Sequence, residues 1–413
     1  MDATAKTDPP RLLGMGKMEF IAMMAMLMAL NALAIDIMLP GLQEIGATLG
    51  VESENHRQYV ISAYLLGFAV AQLAYGPLAD RFGRRTPMLV GLGIYIVAAF
   101  AGAIAPTFTS LLLMRFLHGI GSAATRVITV SIIRDVFGGR QMAEVMSLVM
   151  MVFMIVPVIA PGTGQIIMLF AEWHMIFVFM GLAGIVVTIW MAMRLPETLD
   201  PADQRPFNLR SIFQAFRVVL TNRVALCYTL ASTFIFGSLF GFINSAQQVY
   251  VGIYDLGTMF PVVFAAVAAF MALSSYLNSR LVGRFGMRRL SHAALIGFTA
   301  VSAIWFVLSL FGTIAFPLFL TLFALAMFQF GLIGSNFNSL AMEPLGHVAG
   351  TASSVLGFMG TAGGGTIGAL IGQAFDGTTT PLALGFLSVS VIGMAFVLIA
   401  ERGKLFQAHH KPV

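Results

Sequence analysis

The chain has 413 residues, of which 58% are hydrophobic and only 10% charged, and its mean hydropathy is +0.90. A soluble domain carries roughly 45–50% apolar and ~25% charged residues, so a water-soluble fold is excluded. The formal charge of +5 resides in short segments between apolar runs, which points to membrane topology rather than to nucleic acid. A single cysteine, Cys227, rules out an internal disulfide framework and gives no metal cluster.

A membrane span needs about 20 mostly apolar residues, so the apolar mass of this chain suffices for about twelve. Apolar runs between charged or Pro/Gly breaks place the first six at 18–40, 58–79, 87–105, 108–133, 142–168 and 174–194. Six more fall at 224–251, 257–280, 290–311, 315–341, 350–373 and 380–400. Lys17 followed by an apolar run to Ala32-Leu33-Ala34 has the outline of a cleavable signal peptide. The run continues to Pro40, longer than a signal segment, and reads as the first span.

The expected fold is an all-α membrane protein of twelve transmembrane helices in two pseudo-symmetric six-helix bundles. A tail, 1–17, precedes a first bundle at 18–194; a central loop, 195–223, leads to a second bundle at 224–402 and a tail at 403–413. Pro196, Pro201 and Pro206 break the central loop, and the basic amphipathic stretch from Leu209 to Leu220 reads as a helix on the membrane surface.

Basic loops stay on the cytoplasmic side. Arg81, Arg84, Arg85, Arg134, Arg140, Arg194, Arg205, Arg210, Arg217, Arg223, Arg280, Arg284, Arg288 and Arg289 all fall in even-numbered turns, with Lys6, Arg11, Lys17, Arg402, Lys404 and Lys411 near the termini. The opposite loops hold only Arg57. Both termini are therefore expected in the cytoplasm, with an even number of spans. The halves also echo each other: Asp80-Arg81-Phe82-Gly83-Arg84-Arg85 and Gly283-Arg284-Phe285-Gly286-Met287-Arg288 lie 203 residues apart. The same offset sets Pro161 of span five against Gly364 of span eleven.

An ionisable side chain within a span costs at least ~2.5 kcal/mol and is a functional candidate by default. Asp36 is the one acid clearly inside a span, and Arg115 and Arg126 are the bases well inside one. At ~1.5 Å per residue, Asp36 lies about 6 Å and Arg115 about 10 Å from the outer ends of their spans. The shared depth suggests a direct or water-bridged pair facing a central cavity. Movement between bundle states would then switch the proton affinity of Asp36. Arg115 and Arg126 are eleven residues apart, which returns them to one helix face within about 20°. Ser122 shares that stripe, with His118 and Thr129 beside it. Arg126 either binds a substrate acceptor or is satisfied by helix carbonyls and water. His118 either shuttles protons or packs against the following glycines.

Asn31, Tyr64, Asn244, Gln248, Gln329 and Asn336 complete the cavity candidates, with Gln72 and Gln247 also weighed. Interhelical hydrogen bonds explain such amides nearly as well. Pro157 and Pro161 are expected to kink span five, and the glycines of span eleven to allow close packing.

Gly76-Pro77-Leu78-Ala79-Asp80-Arg81-Phe82-Gly83-Arg84-Arg85-Thr86 resembles the loop 2–3 motif of the major facilitator superfamily. The resemblance implies that Gly76, Asp80, Arg81, Gly83, Arg84 and Arg85 form a conformational latch between the bundles, reaching the start of span eleven near Ala349–Ser354. The alternative is that these charges only set topology. Arg115-Phe116-Leu117-His118-Gly119-Ile120-Gly121 resembles the span-four arginine motif of drug:proton antiporters. Ala160-Pro161-Gly162-Thr163-Gly164-Gln165 resembles the antiporter motif, with Gln165 where a second glycine is usual and Ala-Pro for Gly-Pro.

Ala34 to Pro40, Arg134-Asp135, Leu195-Pro196-Glu197-Thr198, Asn336 to Pro344 and Ala349 to Ser354 together resemble the Bcr/CflA (bicyclomycin/chloramphenicol resistance) branch of those antiporters. The branch implies a bacterial inner membrane, and the leading expectation is proton-driven efflux of small amphipathic drug-like compounds; a monomer in the bilayer with no cofactor beyond the proton motive force is expected. The alternative on the same fold is a specific carrier for an anionic or polar metabolite. An enzyme, a channel or an ATP-driven pump is disfavoured, because the chain has no HExxH, nucleophile elbow or Walker loop.

Overall fold

The computed structural model describes residues 14–137, 139–204 and 209–407. Lys6, Arg11, Arg205 and Lys411 lie outside the described residues, as do the side chains of Arg140 and of 346–351. The described residues contain 12 helical segments long and apolar enough to cross a bilayer.

The first six are α1 (Lys17–Asp36), α2 (Tyr59–Phe82), α3 (Arg85–Ala103), α4 (Phe108–Val136), α5 (Gly139–Phe170) and α6 (His174–Arg194). After a linker helix at Leu209–Thr221 come α7 (Arg223–Gln247), α8 (Phe260–Phe285), α9 (Met287–Ser309) and α10 (Phe316–Met342). Next is α11, in two parts, Ala349–Phe358 and Gly364–Gln373, joined by a π-helical turn at Met359–Gly363. The last is α12 (Thr380–Ala400). Twelve crossings put the start of α1 and the end of α12 on one face of the molecule, the terminal face; the other is the distal face.

The expected first span, 18–40, differs in detail. The α-helix stops at Asp36, because Pro40 lacks the N–H that would continue it. A tight turn at Leu39–Gly41 and a short helix at Leu42–Thr48 carry the apolar chain onward. Pro157 and Pro161 both lie inside the unbroken α5, which bilayer helices tolerate.

Within the first six helices, α4 packs on α2 and α3, α3 on α6, and α1 on α5; within the last six, α7 packs on α11 and α12, and α9 on α10 and α12. Small residues set the closest approaches. A methyl group on Gly67 would overlap the Phe116 carbonyl, and one on Gly119 the Tyr64 carbonyl, so α2 and α4 touch backbone to backbone. Side chains such as Val97, Leu182 and Val186 stay exposed on the outer faces, as a lipid-facing surface requires. The two echoed loops make the same turn, with Gly83 at φ 85° and Gly286 at φ 81°, a backbone region open chiefly to glycine.

Candidate functional site

The polar residues of the first half form a knot at the meeting of α1, α2 and α4. The Tyr64 hydroxyl lies 2.8 Å from Asn31 Oδ1 and 2.7 Å from Ser122 Oγ, and Ser122 in turn donates to Asn31 Oδ1 at 3.3 Å. Tyr64 and Ser122 are fully buried and Asn31 nearly so. These three residues therefore bind helices together inside the bundle; they do not line a cavity in this state.

Arg115 is fully buried above that knot. Its Nε donates to the Val60 carbonyl at 3.1 Å, Nη2 to the Ala34 carbonyl at 2.9 Å, and Nη1 to His118 Nδ1 at 3.2 Å. The guanidinium also lies 4.6 Å from the Tyr64 ring centroid. A guanidinium only donates, so Nδ1 of His118 is an acceptor and the ring is neutral. That ring packs edge-on against Tyr64 and Tyr95. The structure thus gives His118 an orienting and packing position.

The expected direct pair between Asp36 and Arg115 is not formed. Arg115 reaches α1 at Ala34, two residues before Asp36, so the two groups do share a depth. Asp36 is 4% exposed, and its Oδ1 has no hydrogen-bond partner among the described residues. A buried carboxylate without partners is costly, and taking up a proton removes that cost.

The loop motif is tied within the first half. Arg84 bonds Asp80 at 2.6 Å and Asp135 of α4 at 2.7 Å. Burial pulls the pKa of Arg84 down, but the carboxylates of Asp135 and Asp80 outweigh it and leave the pKa raised. Glu197, after α6, caps the start of α3: its carboxylate accepts the N–H groups of Arg84, Arg85, Thr198 and Leu199 at 2.8–3.0 Å. Gly83 leaves the room for it, since a side chain there would overlap that carboxylate. Arg85 donates to the Ala192 carbonyl at 2.6 Å, while Arg81 is exposed. The approach to α11 is made by Gly76, whose added methyl would meet Ser354 Oγ at 3.5 Å. Of the expected partner segment, 349–354, the side chains of 349–351 lie outside the described residues, and no charge of the motif is bonded to the second half among those described.

Polar contacts between the halves are concentrated on the distal side. Gln58 donates to Gln248 at 2.5 Å and to the Gly372 carbonyl at 3.0 Å. Gln248 donates to Asn55 at 2.8 Å, and Asn55 to the carbonyls of Gln373 and Phe375, both at 3.0 Å. Gln247 meets Gln43 at 3.3 Å. Nearer mid-membrane, Gln72 donates to Thr361 at 3.1 Å, within the π-helical turn of α11. Toward the terminal face, no hydrogen bond or ion pair joins the two halves among the described residues. Asn55, Gln58 and Gln373 escaped the reading of the sequence because they sit at helix ends; the signal was a group of uncharged amides on the face that carries few charges.

The remaining amides are elsewhere. Asn336 bonds Asn278 of α8 at 2.7 Å, and Gln329 lies where a side chain on Gly297 of α9 would strike it. Asn336 thus ties α10 to α8, and Gln329 packs against α9. Asn244 donates to the Phe240 carbonyl of its own helix and packs against Gly372. Gly164 of the α5 motif lets α5 touch the backbone of Ile37, and Gly162 faces Pro261 of α8. Pro157 and Pro161 lie one turn apart in the same helix. The described residues hold no cluster of metal-ligating side chains.

Twelve spans, two halves joined by amides on one face, and a partnerless buried acid define a multi-pass membrane carrier. The family model of the Major Facilitator Superfamily matches residues 20–369, and the chain belongs to that superfamily, a family of transporters and not of enzymes. It is 30% identical to the uncharacterized MFS-type transporter YdgK of Bacillus subtilis over 94% of this chain and 97% of that one. It is 29% identical to the bicyclomycin resistance protein homolog of Haemophilus influenzae over 93% and 96%, and 28% identical to multidrug resistance protein MdtL of Escherichia coli over 93% and 96%. In fold it is similar to a bacterial homolog of the human lysosomal transporter Spinster (TM-score 0.70, 16% identity, 93% and 96% covered). It is likewise similar to the human organic anion transporter MFSD10 (TM-score 0.67, 16% identity, 94% and 100% covered).

Proposed function

We propose that the protein exports small amphipathic, drug-like compounds from a bacterial cytoplasm in exchange for protons, with Asp36 as the proton site. The observation that carries this reading is the buried Asp36 carboxylate with an oxygen lacking any partner. Its relatives named for bicyclomycin and multidrug resistance supply the substrate class. The basic loops support an orientation with the terminal face in the cytoplasm of a cell bounded by an inner membrane. The amide clasp then closes the periplasmic mouth, and the half-open state faces the cytoplasm.

Alternation follows from these parts. The halves, 18–194 and 224–402 with 195–223 between them, rock about the Gln72–Thr361 contact. Substrate enters from the cytoplasm while Asp36 is protonated; breaking the clasp exposes the outer mouth, where proton and substrate exchange. Arg115 keeps α1, α2 and α4 rigid around the proton site, and the Asp80–Arg84–Asp135 network stiffens the cytoplasmic loop. One chain holds the whole pathway, so a monomer suffices.

Everted vesicles energised by respiration, loaded with a pH-sensitive dye, test the proposal. Adding substrate dissipates the proton gradient in wild type, and Asp36→Asn abolishes that response while the purified variant keeps its helical content. Retained proton-coupled transport in Asp36→Asn would falsify the assignment. A response to one metabolite and to none of a drug panel would favour a specific carrier.

A further inference from the structure

Arg115 and Arg126 project from one face of α4, three turns apart, and the fold treats them oppositely. Arg115 is fully buried and all three guanidinium nitrogens have partners. Arg126 is exposed, and no hydrogen bond, ion pair or ring contact joins it to any described residue. Its direction is inward. On the helical wheel it lies between Gly119, which abuts the Tyr64 backbone of α2, and Ser122, which bonds Tyr64 of α2 and Asn31 of α1. An exposed side chain between those two directions faces the interior of the molecule and not the lipid.

Exposure along this face of α4 rises toward the terminal face. Along this stripe the residues of the distal half, Arg115 and Ser122, are fully buried, whereas Arg126 and Val130 in the terminal half are exposed. Arg126 is about 15 Å from the terminal end of α4, at ten residues. No acid among the described residues bonds it: Asp36 shares the depth of Arg115, about 16 Å farther along the axis. A cation with five donors, held at this depth without an acceptor among the described residues, is suited to receive an acceptor brought from outside.

We propose that Arg126 is the anchoring point for substrate, and that the compounds best accepted are amphipathic molecules bearing a carboxylate or comparable oxyanion. This assignment rests on the transport reading given above. The planar guanidinium matches a carboxylate bidentately, while a neutral amide of the same shape cannot form the charge-assisted pair. The apolar body of the substrate is then left to the aromatic and aliphatic surface of the second half.

The test uses the full chain in detergent micelles, titrated with dansylglycine and with dansylglycinamide, which differ only in the charge of one end. Wild type is expected to bind the acid at least tenfold more tightly than the amide. Arg126→Gln should bring the acid down to the affinity of the amide and leave the amide unchanged, which also shows that the variant is folded; Arg126→Lys should retain part of the preference. Equal affinities in wild type, no binding of either probe, or a preference that survives in Arg126→Gln overturns the proposal. Equilibrium binding needs no proton gradient, so the same preference in Asp36→Asn keeps this result separate from proton coupling: either assignment can fail alone.

Discussion

Gln58 at the start of α2 and Gln248 at the end of α7 lie 2.5 Å apart, Nε2 to Oε1, and fasten the two halves of the transporter across the distal mouth. Each is buried, and each makes a second bond across the same seam, to Gly372 and Asn55. The clasp contains no ionisable group among these four residues. Its strength is therefore insensitive to pH, and proton binding has to act on the halves elsewhere.

A net hydrogen bond contributes about 1 kcal/mol, so the double variant Gln58→Ala, Gln248→Ala weakens the closed mouth by about 2–3 kcal/mol. Spin labels at Glu54 and Asp376, on opposite sides of the seam, are expected to show a longer-distance population at least tenfold larger than in the parent protein. An unchanged distance distribution would mean that the clasp does not hold the mouth shut.

Arg115 and Arg126 separate structural from receptive arginines. Arg115→Met leaves the Ala34 and Val60 carbonyls without their donor and cuts the tie from α4 to α1 and α2. Hydrogen bonds to a charged group are worth about 1.5–3 kcal/mol each, so the variant should lose several degrees in its thermal unfolding midpoint in detergent. Arg126→Gln, which removes no such bond, should unfold within about a degree of the parent by the same scale of local effects. Equal losses for both would contradict the division of roles.

Much of this molecule was legible in its sequence because bilayer physics is simple: span length, apolar mass and the two echoed loops are one-dimensional signals. Asp36, Arg115 and Arg126 stood out for the same reason, as charges where charges are costly. What the sequence did not yield were facing directions across helices. The shared depth of Asp36 and Arg115 suggested a direct or water-bridged pair, yet Arg115 gives its donors to the Val60 and Ala34 carbonyls and to His118, so no direct pair forms at that depth. Tyr64 and Ser122 were expected on a cavity wall and are instead buried between helices, since a polar stripe serves a packed knot and a cavity equally well. The amide clasp depends on loops from both halves meeting, which no local pattern encodes.

The crossing of α2 and α4 makes a sharp prediction about glycines. Gly119→Ala drives a methyl into the Tyr64 carbonyl, and Gly67→Ala drives one into the Phe116 carbonyl, so either forces two backbones apart. Nothing lies within 4 Å of a methyl group added at Gly93 of α3. Overpacking costs about 1–3 kcal/mol, and more where backbone must move. Gly119→Ala and Gly67→Ala should reduce membrane-inserted, folded protein severalfold by size-exclusion profile, with Gly93→Ala at parental yield. Parental yield from all three would show that the helices are farther apart than described.

Glu197 sets a pH dependence of stability. Burial pushes its carboxyl upward, but the N–H groups of Leu199, Arg84, Arg85 and Thr198 outweigh that and leave its pKa below the ordinary 4.5. A carboxylate with a depressed folded pKa contributes stability that is complete above the unfolded value and is lost only as pH falls through the lowered one. Glu197→Gln retains an oxygen but not the charge that faces the start of α3, so it should cost about 1 kcal/mol near neutrality. Thermal unfolding of parent and variant, followed from pH 7 downward, should show a constant gap to about pH 4.5 that then narrows. The order follows from the sign: a gap that widened on acidification, or that vanished already near pH 6, would show that the Glu197 carboxylate is not the charged cap of this loop.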